Sequence, residues 1–186
     1  EIYRECDMVA KVKEIDPSEY PLLREGQIIF TCIHPAAHPQ EVDELLKKKV
    51  TAFAAEDSHR HGSHNCEAAG KAGVIMGLYS MMTINGGCGK FVSGLGTAPG
   101  IHALVLGCGI VGKAAIEVLQ SLGAWVTVAA TNVGHLRTIA SKYDGKINTI
   151  VSNRYNIRRI LPQVDMVVNC VRWDKSNTQF LIDRSM

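Results

Sequence analysis

The segment LGCGIVGKAAIEVLQSLGAWVTVAATN, residues 106–132, constrains the fold more strongly than any other stretch of the chain. An apolar run, ALVL, leads into three closely spaced glycines, and a helix-like stretch and a second strand-like run follow. Gly107 suits a tight strand-to-helix turn, Gly109 would let the backbone approach a pyrophosphate, and Gly112 would let the helix pack closely on a sheet. The N–H groups at the start of the helix would then face the phosphates. This pattern predicts a dinucleotide-binding βαβ unit.

Strand and helix patterns alternate in both halves of the chain. The runs DMVAKV, GQIIFTCI and TAFAAED are typical of strands, and HPQEVDELLKKKV has helical spacing. In the second half the order is HALVLGC, helix 110–122, WVTVAA, helix 133–143, KINTIV, helix YNIRRIL and VDMVVNCV. Because crossovers of this length require parallel pairing, we predict an α/β chain. It combines a Rossmann-type doubly wound parallel sheet with part of a second α/β substrate domain.

A glycine-rich stretch between the two halves indicates the domain boundary, which we place within residues 65–100. We predict a helix for residues 67–84 despite their glycines, and a connecting loop for the segment NGGCGKFVSGLGTAPGI. We therefore assign 1–84 to a partial substrate domain with its linking helix. We assign residues 85–186 to a nucleotide-binding Rossmann domain, which we expect to be incomplete at its C-terminal end. Both ends of the chain interrupt such patterns, so we expect a fragment of a longer polypeptide.

Composition argues against several classes of partner. The net charge of +2 is too small to indicate a nucleic-acid or anionic-membrane surface. No window contains the roughly 18 consecutive apolar residues that a bilayer span needs. The six cysteines have no CxxC spacing, and several lie in apolar runs, which favours free thiols in a reducing compartment. We predict a cytoplasmic protein that binds neither nucleic acid nor membrane.

The end of the second strand-like run bears on which nucleotide binds. In such folds an Asp or Glu about 20 residues after the turn binds the ribose hydroxyls of NAD. Ala130 stands at this place, so the group that repels a 2′-phosphate is absent. Thr131 and Asn132 would hydrogen-bond that phosphate, and His135 or Arg137 would add positive charge. We expect NAD(P) as cofactor and favour NADP, while NAD held through its diphosphate is the alternative. The further candidate contacts near the turn and after KINTIV are Ile110, Val111 and Ser152.

Two early segments, DMVAKVKE and YPLLREGQIIFTCIHPAA, resemble the alanine dehydrogenase and pyridine nucleotide transhydrogenase family. The match continues in order through EAAGKAG, NGGCG, the glycine turn and VDMVVNCV, and it covers nearly the whole chain. The resemblance implies a two-domain oxidoreductase, in which one domain holds an amino or keto acid and a Rossmann domain holds the nicotinamide nucleotide. It also implies a ligand between the two domains and a homo-oligomer.

The resemblance assigns two candidate catalytic residues. In the family, the Lys of V-K-E orients the carboxylate and keto oxygen of the substrate, and the His that closes F-T-x-x-H acts as acid and base. These positions are Lys13 and His34 here. Hydride transfer to a 2-keto acid or its imine independently needs a cation near the developing oxyanion and a group that exchanges a proton near neutral pH.

Several positions depart from the family pattern. The Ser that contacts the diphosphate is Cys66 here, the ribose-binding Asp is Ala130, and the apolar V-L near the nicotinamide is Val171–Arg172. The acid of the family's Y-E-T segment corresponds to Glu56. The family's substrate-binding Arg and catalytic Asp fall outside this chain. N5-(carboxyethyl)ornithine synthase, which uses NADPH, is similar in plan, and saccharopine dehydrogenases look like more distant relatives.

The expected reaction is hydride transfer between NAD(P)H and the Cα of an amino acid or imine, as in an alanine dehydrogenase. Reductive condensation of the carboxyethylornithine or saccharopine type is the alternative. A non-catalytic nucleotide or metal sensor is an alternative of another class, because four zinc-type ligands lie within eight positions: His59, His61, His64 and Cys66. Their irregular spacing favours an exposed polar loop, so we assign no metal.

Overall fold

The computed structural model describes residues 1–60, 62–172 and 180–186, so His61 of the polar loop lies outside the described residues. The described chain divides into two compact units, Glu1–Asn65 and Cys66–Met186. The sequence pattern assigned the linking helix to the first domain, with the boundary at 84/85. In the structure this helix belongs to the second unit, because its side chains pack into that unit's core.

The first unit is built on a three-stranded parallel sheet with the order β1-β2-β3. Its interior is the apolar cluster around Val9, Ile29 and Leu45, which the strands and one crossing helix contribute. The predicted strands and helix are confirmed. A short first helix and a 3₁₀ helix, Pro17–Leu22, were not predicted. The elements are α1 (Ile2–Glu5), β1 (Met8–Ala10), β2 (Ile28–Thr31), α2 (Pro39–Lys47) and β3 (Thr51–Ala54).

The second unit is a four-stranded parallel sheet with the order β6-β5-β4-β7. The chain moves outward from β4 through β5 to β6, then returns to the opposite side of β4 to form β7. The direction of winding therefore reverses between β4 and β7. The elements are α3 (His64–Met81), β4 (His102–Leu106), α4 (Ile110–Ser121), β5 (Trp125–Ala130), α5 (Val133–Lys142), β6 (Asn148–Val151), α6 (Arg154–Ile160) and β7 (Met166–Asn169).

Helices cover both faces of this sheet. Alternate residues of β4 and β5 point into a core formed with α3, α4 and α5, and the intervening residues face α6. All five residues of β4 are buried, as expected for a central strand of a parallel sheet covered on both sides. The predicted doubly wound parallel α/β sheet is thereby confirmed.

The close packing of α3 on α4 depends on Gly70. A Cβ at this position would lie 2.2 Å from the backbone oxygen of Val111, so no larger residue can occupy it without movement of the α4 backbone. Val74, one turn further along α3, is fully buried in the same core. Within the described ranges, no helix is both long and apolar enough to cross a membrane.

Candidate functional site

The glycine turn follows β4 at the carboxyl edge of the four-stranded sheet. Gly107 has a φ of +93°, in the left-handed region that favours glycine, and its N–H donates to the Ala129 carbonyl at 2.7 Å. A Cβ on Gly112 would lie 2.1 Å from the Gly107 carbonyl oxygen, whereas a Cβ on Gly109 would meet no atom within 4 Å. The outer two glycines therefore serve the packing of the turn, and the middle one leaves open space above it.

The first turn of α4 offers donors to this open space. Gly109 is the N-cap, and its carbonyl accepts the first helical hydrogen bond, from the Lys113 N–H at 2.9 Å. The N–H groups of Ile110, Val111 and Gly112 have no acceptor among the residues that the structure describes. Unpaired N–H groups and the positive end of a helix dipole together favour an anion such as a diphosphate. The turn therefore fits the diphosphate of a dinucleotide.

Other candidate cofactor contacts lie at the same edge of the sheet. Ala130 ends β5, and its carbonyl accepts a hydrogen bond from the N–H of Ser152, which follows β6, at 2.9 Å. Val171 follows β7 beside the turn, since a Cβ on Gly107 would lie 3.4 Å from its Cγ2. Ligands of doubly wound sheets bind outside the carboxyl ends of the strands, where the winding direction reverses. The structure brings these candidates to that place.

The segment after β5 begins α5. Asn132 is its N-cap, and its Oδ1 accepts the His135 N–H at 3.1 Å. This bond uses the carbonyl oxygen of the Asn132 side chain and leaves its Nδ2 group available to donate to a ligand. Thr131 and Arg137 are exposed, and Ala130 is buried. Because β5 ends with Ala130 and Thr131 follows it, no carboxylate stands at the end of this strand.

Cys66 lies in the first turn of α3 and is half-buried. It precedes Gly70 by four residues, which places it on the same face of the helix. Since Gly70 packs against Val111, Cys66 is on the face of α3 that approaches the start of α4.

In the first unit, the carboxyl ends of three neighbouring strands carry the other candidates. Lys13 follows β1, His34 follows β2, and Glu56 follows β3. The backbone of Lys13 is held because its carbonyl accepts the Thr31 hydroxyl at 2.5 Å. Its side chain is exposed, and no described residue pairs with its Nζ. Lys13 thus presents an exposed cation at this edge.

Glu56 holds His34. Both of its carboxylate oxygens accept the Ile33 N–H, and Oε1 also accepts the His34 N–H. The same Oε1 lies 3.5 Å from His34 Nδ1. His34 has a φ of +46°, an unusual conformation for a residue with a side chain, and these bonds stabilise it. Burial alone would raise the pKa of Glu56, but its backbone N–H donors, including those of His34 and Ile33, together with the nearby His34 ring, hold this pKa below its usual value.

Two residues near His34 were not among the sequence candidates. Glu14 Oε1 lies 3.7 Å from His34 Nε2 and also 3.7 Å from the Nε2 of His38. The spacing of four in HPAAH and the acid directly after Lys13 were visible in the sequence. The conformation of the loop after β2 brings Glu14 close to both histidines, and the sequence pattern alone did not predict this contact.

A buried carboxyl group lies behind this cluster. Glu41, in the first turn of α2, is 1% exposed; its Oε1 accepts the Ile15 N–H at 3.1 Å, and its Oε2 has no partner among the described residues. Burial raises the pKa of Glu41, although the Ile15 N–H and the nearby His38 and Lys11 oppose this effect. Glu41 thus fixes the segment that follows Lys13 and Glu14.

The polar loop before α3 was the alternative metal site. The rings of His59 and His64 lie 5.0 Å apart. Among the described residues, which exclude His61, no three His, Cys, Asp or Glu side chains are placed to hold a metal ion.

Known protein families match both units. The alanine dehydrogenase/PNT N-terminal domain matches residues 1–70, and the C-terminal domain of the same family matches residues 73–186. An alanine dehydrogenase of Bilophila wadsworthia is 34% identical over 188 residues, which are 98% of this chain and 50% of that protein. One from Methanococcus maripaludis is 31% identical over 192 residues, 100% of this chain and 52% of that protein.

Solved structures give the same result for the fold. A structure of an L-alanine dehydrogenase has a TM-score of 0.80 and 27% identity, and the match covers 97% of this chain and 52% of that one. A transhydrogenase from Sinorhizobium meliloti shares the fold at a TM-score of 0.63 and 17% identity, over 88% of this chain and 49% of that one. The chain thus spans about half the length of the relatives that it matches. With both of its units matched in order, the chain belongs to the alanine dehydrogenase/PNT family.

Proposed function

We propose that the full-length protein is an NAD(P)-dependent amino-acid oxidoreductase that transfers a hydride between the nicotinamide and the Cα of an amino acid or imine. The observation that carries this proposal is the glycine turn. It follows the central strand β4 where the winding reverses, it leaves open space above Gly109, and the next three N–H groups have no acceptor among the described residues. The family to which the chain belongs supports the same reaction class.

The residues of the first unit supply substrate binding and proton transfer in this proposal. Lys13, whose exposed Nζ pairs with no described residue, would bind the substrate carboxylate and stabilise the developing oxyanion. His34, held by Glu56, would give or take the proton that accompanies hydride transfer. A bound nicotinamide supplies or accepts the hydride, and the chain contributes binding, orientation and proton transfer.

We further propose a preference for NADP over NAD. Ala130 offers no carboxylate to bind ribose hydroxyls or to repel a 2′-phosphate. The start of α5 offers Thr131 Oγ1, Asn132 Nδ2 and the positive end of a helix dipole, and His135 and Arg137 are nearby in the sequence. These groups suit a phosphate better than a neutral diol.

The test is a reductive-amination screen of the full-length protein. Pyruvate is offered with ammonia, ornithine or lysine, and the oxidation of NADPH and of NADH is followed separately. We expect turnover with at least one amine and a higher kcat/KM for NADPH. Ammonia as the best amine would indicate an alanine dehydrogenase, and ornithine or lysine would indicate reductive condensation. No turnover with any combination, despite nucleotide binding, would favour a non-catalytic sensor.

We also propose a cytoplasmic homo-oligomer. Several large apolar side chains toward the end of α3 and just after it are more than half exposed, which supports burial against another subunit: Ile75, Met76, Tyr79, Met82 and Ile84. Light scattering of the full-length protein gives the mass in solution, and a monomeric mass would contradict this proposal.

A further inference from the structure

Glu14 stands between two histidines, and the three side chains form what we call the His34–Glu14–His38 group. Its Oε1 lies 3.7 Å from His34 Nε2 and 3.7 Å from His38 Nε2. The exposed fraction of the side chain is 36% for His34, 24% for Glu14 and 45% for His38. The group therefore runs from the candidate acid/base toward a more exposed imidazole.

The backbone around the group is anchored at each member. On either side of Glu14, the Thr31 hydroxyl donates to the Lys13 carbonyl, and the Ile15 N–H donates to the buried carboxyl group of Glu41. His38 begins α2 as its N-cap, and its N–H donates to the His34 carbonyl at 3.2 Å. Because the backbones are fixed while the side chains are partly exposed, small rotations would suffice to bring these atoms within hydrogen-bond distance, about 3 Å. Such contacts often tighten only when a substrate is bound.

The charges around the group suit the passage of a proton. Glu56 faces His34 on its Nδ1 side, and Glu41 interacts with His38 from within α2. Lys11 is the cation that interacts with Glu41, and it is itself paired with Glu19. Glu14 and Glu56 thus flank His34, and Glu14 also faces His38, so that a carboxylate stabilises the imidazolium form that each histidine takes while it holds the proton.

We propose that Glu14 and His38 relay the proton of His34 to solvent, a proposal that rests on the proposed function. In the oxidative direction His34 keeps its own hydrogen on Nδ1 beside Glu56, takes the proton of the substrate on Nε2 and becomes an imidazolium. Its Nε2–H bond then breaks as Glu14 Oε1 gains the proton, and that O–H bond breaks as His38 Nε2 gains it. His38 finally releases the proton to water, and no electrons change hands. Glu14 and His38 are positioning residues, because they act only through His34.

The test compares turnover of the unsubstituted full-length protein with that of His38→Gln and Glu14→Gln, at low buffer concentration and with added imidazole. His59→Gln is the matched control, since His59 is an exposed histidine of the same unit outside the group. Both test variants should lose about tenfold in kcat, with KM and nucleotide affinity within about twofold of the unsubstituted values. Added imidazole should restore most of the loss, because a diffusing base replaces the relay. The unsubstituted protein and the control should respond little.

A structural role would give a different result. Loss of kcat that imidazole does not restore, or unaltered kcat in both test variants, would overturn the relay while the unsubstituted protein still turns over. Absence of turnover in the unsubstituted protein would instead overturn the proposed function and the relay with it. A second measurement checks the contact without activity: the ¹⁵N signals of His34 and His38 should both shift in Glu14→Gln and stay unchanged in His59→Gln. Unshifted signals in Glu14→Gln would also overturn the relay.

Discussion

Glu56 fixes both the backbone and the ring of His34: its Oε1 accepts the His34 N–H and lies 3.5 Å from the ring Nδ1. The two residues are 22 positions apart, at the ends of neighbouring parallel strands. His34 keeps a left-handed φ of +46° in this arrangement. The carboxylate thus keeps the Nδ1 side of the imidazole toward itself and leaves Nε2 for proton transfer.

His34→Ala should abolish most turnover and leave the nucleotide site intact. Removal of a general acid/base group costs about 10²–10⁴-fold in rate. The nucleotide candidates belong to the second unit, so the Kd for NADPH should stay within about twofold. Steady-state kinetics and fluorescence titration of the full-length protein provide the two values. Retained turnover would reject the acid/base role.

Glu56→Gln should weaken the first unit in a pH-dependent manner. A carboxyl group whose pKa is lowered on folding stabilises the protein above its unfolded pKa, about 4.5, and this contribution is lost as the pH falls through the folded pKa. The Tm difference between the unsubstituted protein and Glu56→Gln should therefore be largest above about pH 5 and shrink in more acidic buffer. Thermal unfolding from about pH 3 to about pH 7 measures it. A difference that grows on acidification would contradict the assigned interaction.

Thr127→Val should destabilise the second unit through His102. The buried His102 ring contacts the Gln163 carbonyl from Nδ1 and the Thr127 hydroxyl from Nε2, each at 2.9 Å. Because a carbonyl only accepts, Nδ1 carries a hydrogen, and the Thr127 hydroxyl is the hydrogen-bond partner of Nε2. Valine would leave Nε2 buried without a partner, at a cost of about 1–3 kcal/mol. Denaturant titration measures this cost.

Thr149→Val is the control for that measurement. Thr149 lies on the neighbouring strand β6, and no described residue bonds its hydroxyl. Its replacement should change the free energy of unfolding by less than about 0.5 kcal/mol. Equal losses in the two variants would mean that the His102 contact adds no stability.

Ala130→Asp should shift the nucleotide preference toward NAD. The new carboxylate would stand at the end of β5, where it can accept ribose hydroxyls and repel a 2′-phosphate. We expect the ratio of kcat/KM for NADPH to that for NADH to fall at least about tenfold, which corresponds to about 1.4 kcal/mol. An unaltered ratio would mean that the ribose is bound elsewhere.

The sequence predicted the second unit well because its signals are local. Apolar runs such as ALVL and the three glycines each depend on neighbours within a few residues, and the parallel sheet follows from the lengths of the crossovers. The sequence pattern also predicted that position 112 requires glycine. The structure gives the reason, because a Cβ on Gly112 would lie 2.1 Å from the Gly107 carbonyl oxygen.

The contacts that the sequence did not reveal join residues far apart in the chain. Gly70 packs on Val111, 41 positions away, in the contact between α3 and α4. Glu14 meets His34 and His38 only because the loop after β2 turns back through a left-handed residue. Composition and hydrophobic periodicity describe neighbouring residues in the chain, so they do not predict contacts between residues that are far apart in the sequence.

The central claim, that the glycine turn binds the diphosphate, is tested most directly by Gly109→Ala. Gly109 has a φ of −71° as N-cap, and an added Cβ would meet no protein atom within 4 Å, so the variant should fold normally. The methyl group would instead occupy the space where the backbone must approach a phosphate. Gly73→Ala is the matched control, because its Cβ also meets nothing and it lies on the exposed side of α3.

The decisive quantity is the Kd for NADPH in each variant of the full-length protein, measured by calorimetry beside the Tm. Gly109→Ala should weaken binding at least about tenfold, or about 1.4 kcal/mol, at an unchanged Tm. Gly73→Ala should bind as the unsubstituted protein does. Unaltered affinity in Gly109→Ala would contradict the claim that a dinucleotide diphosphate lies on this turn.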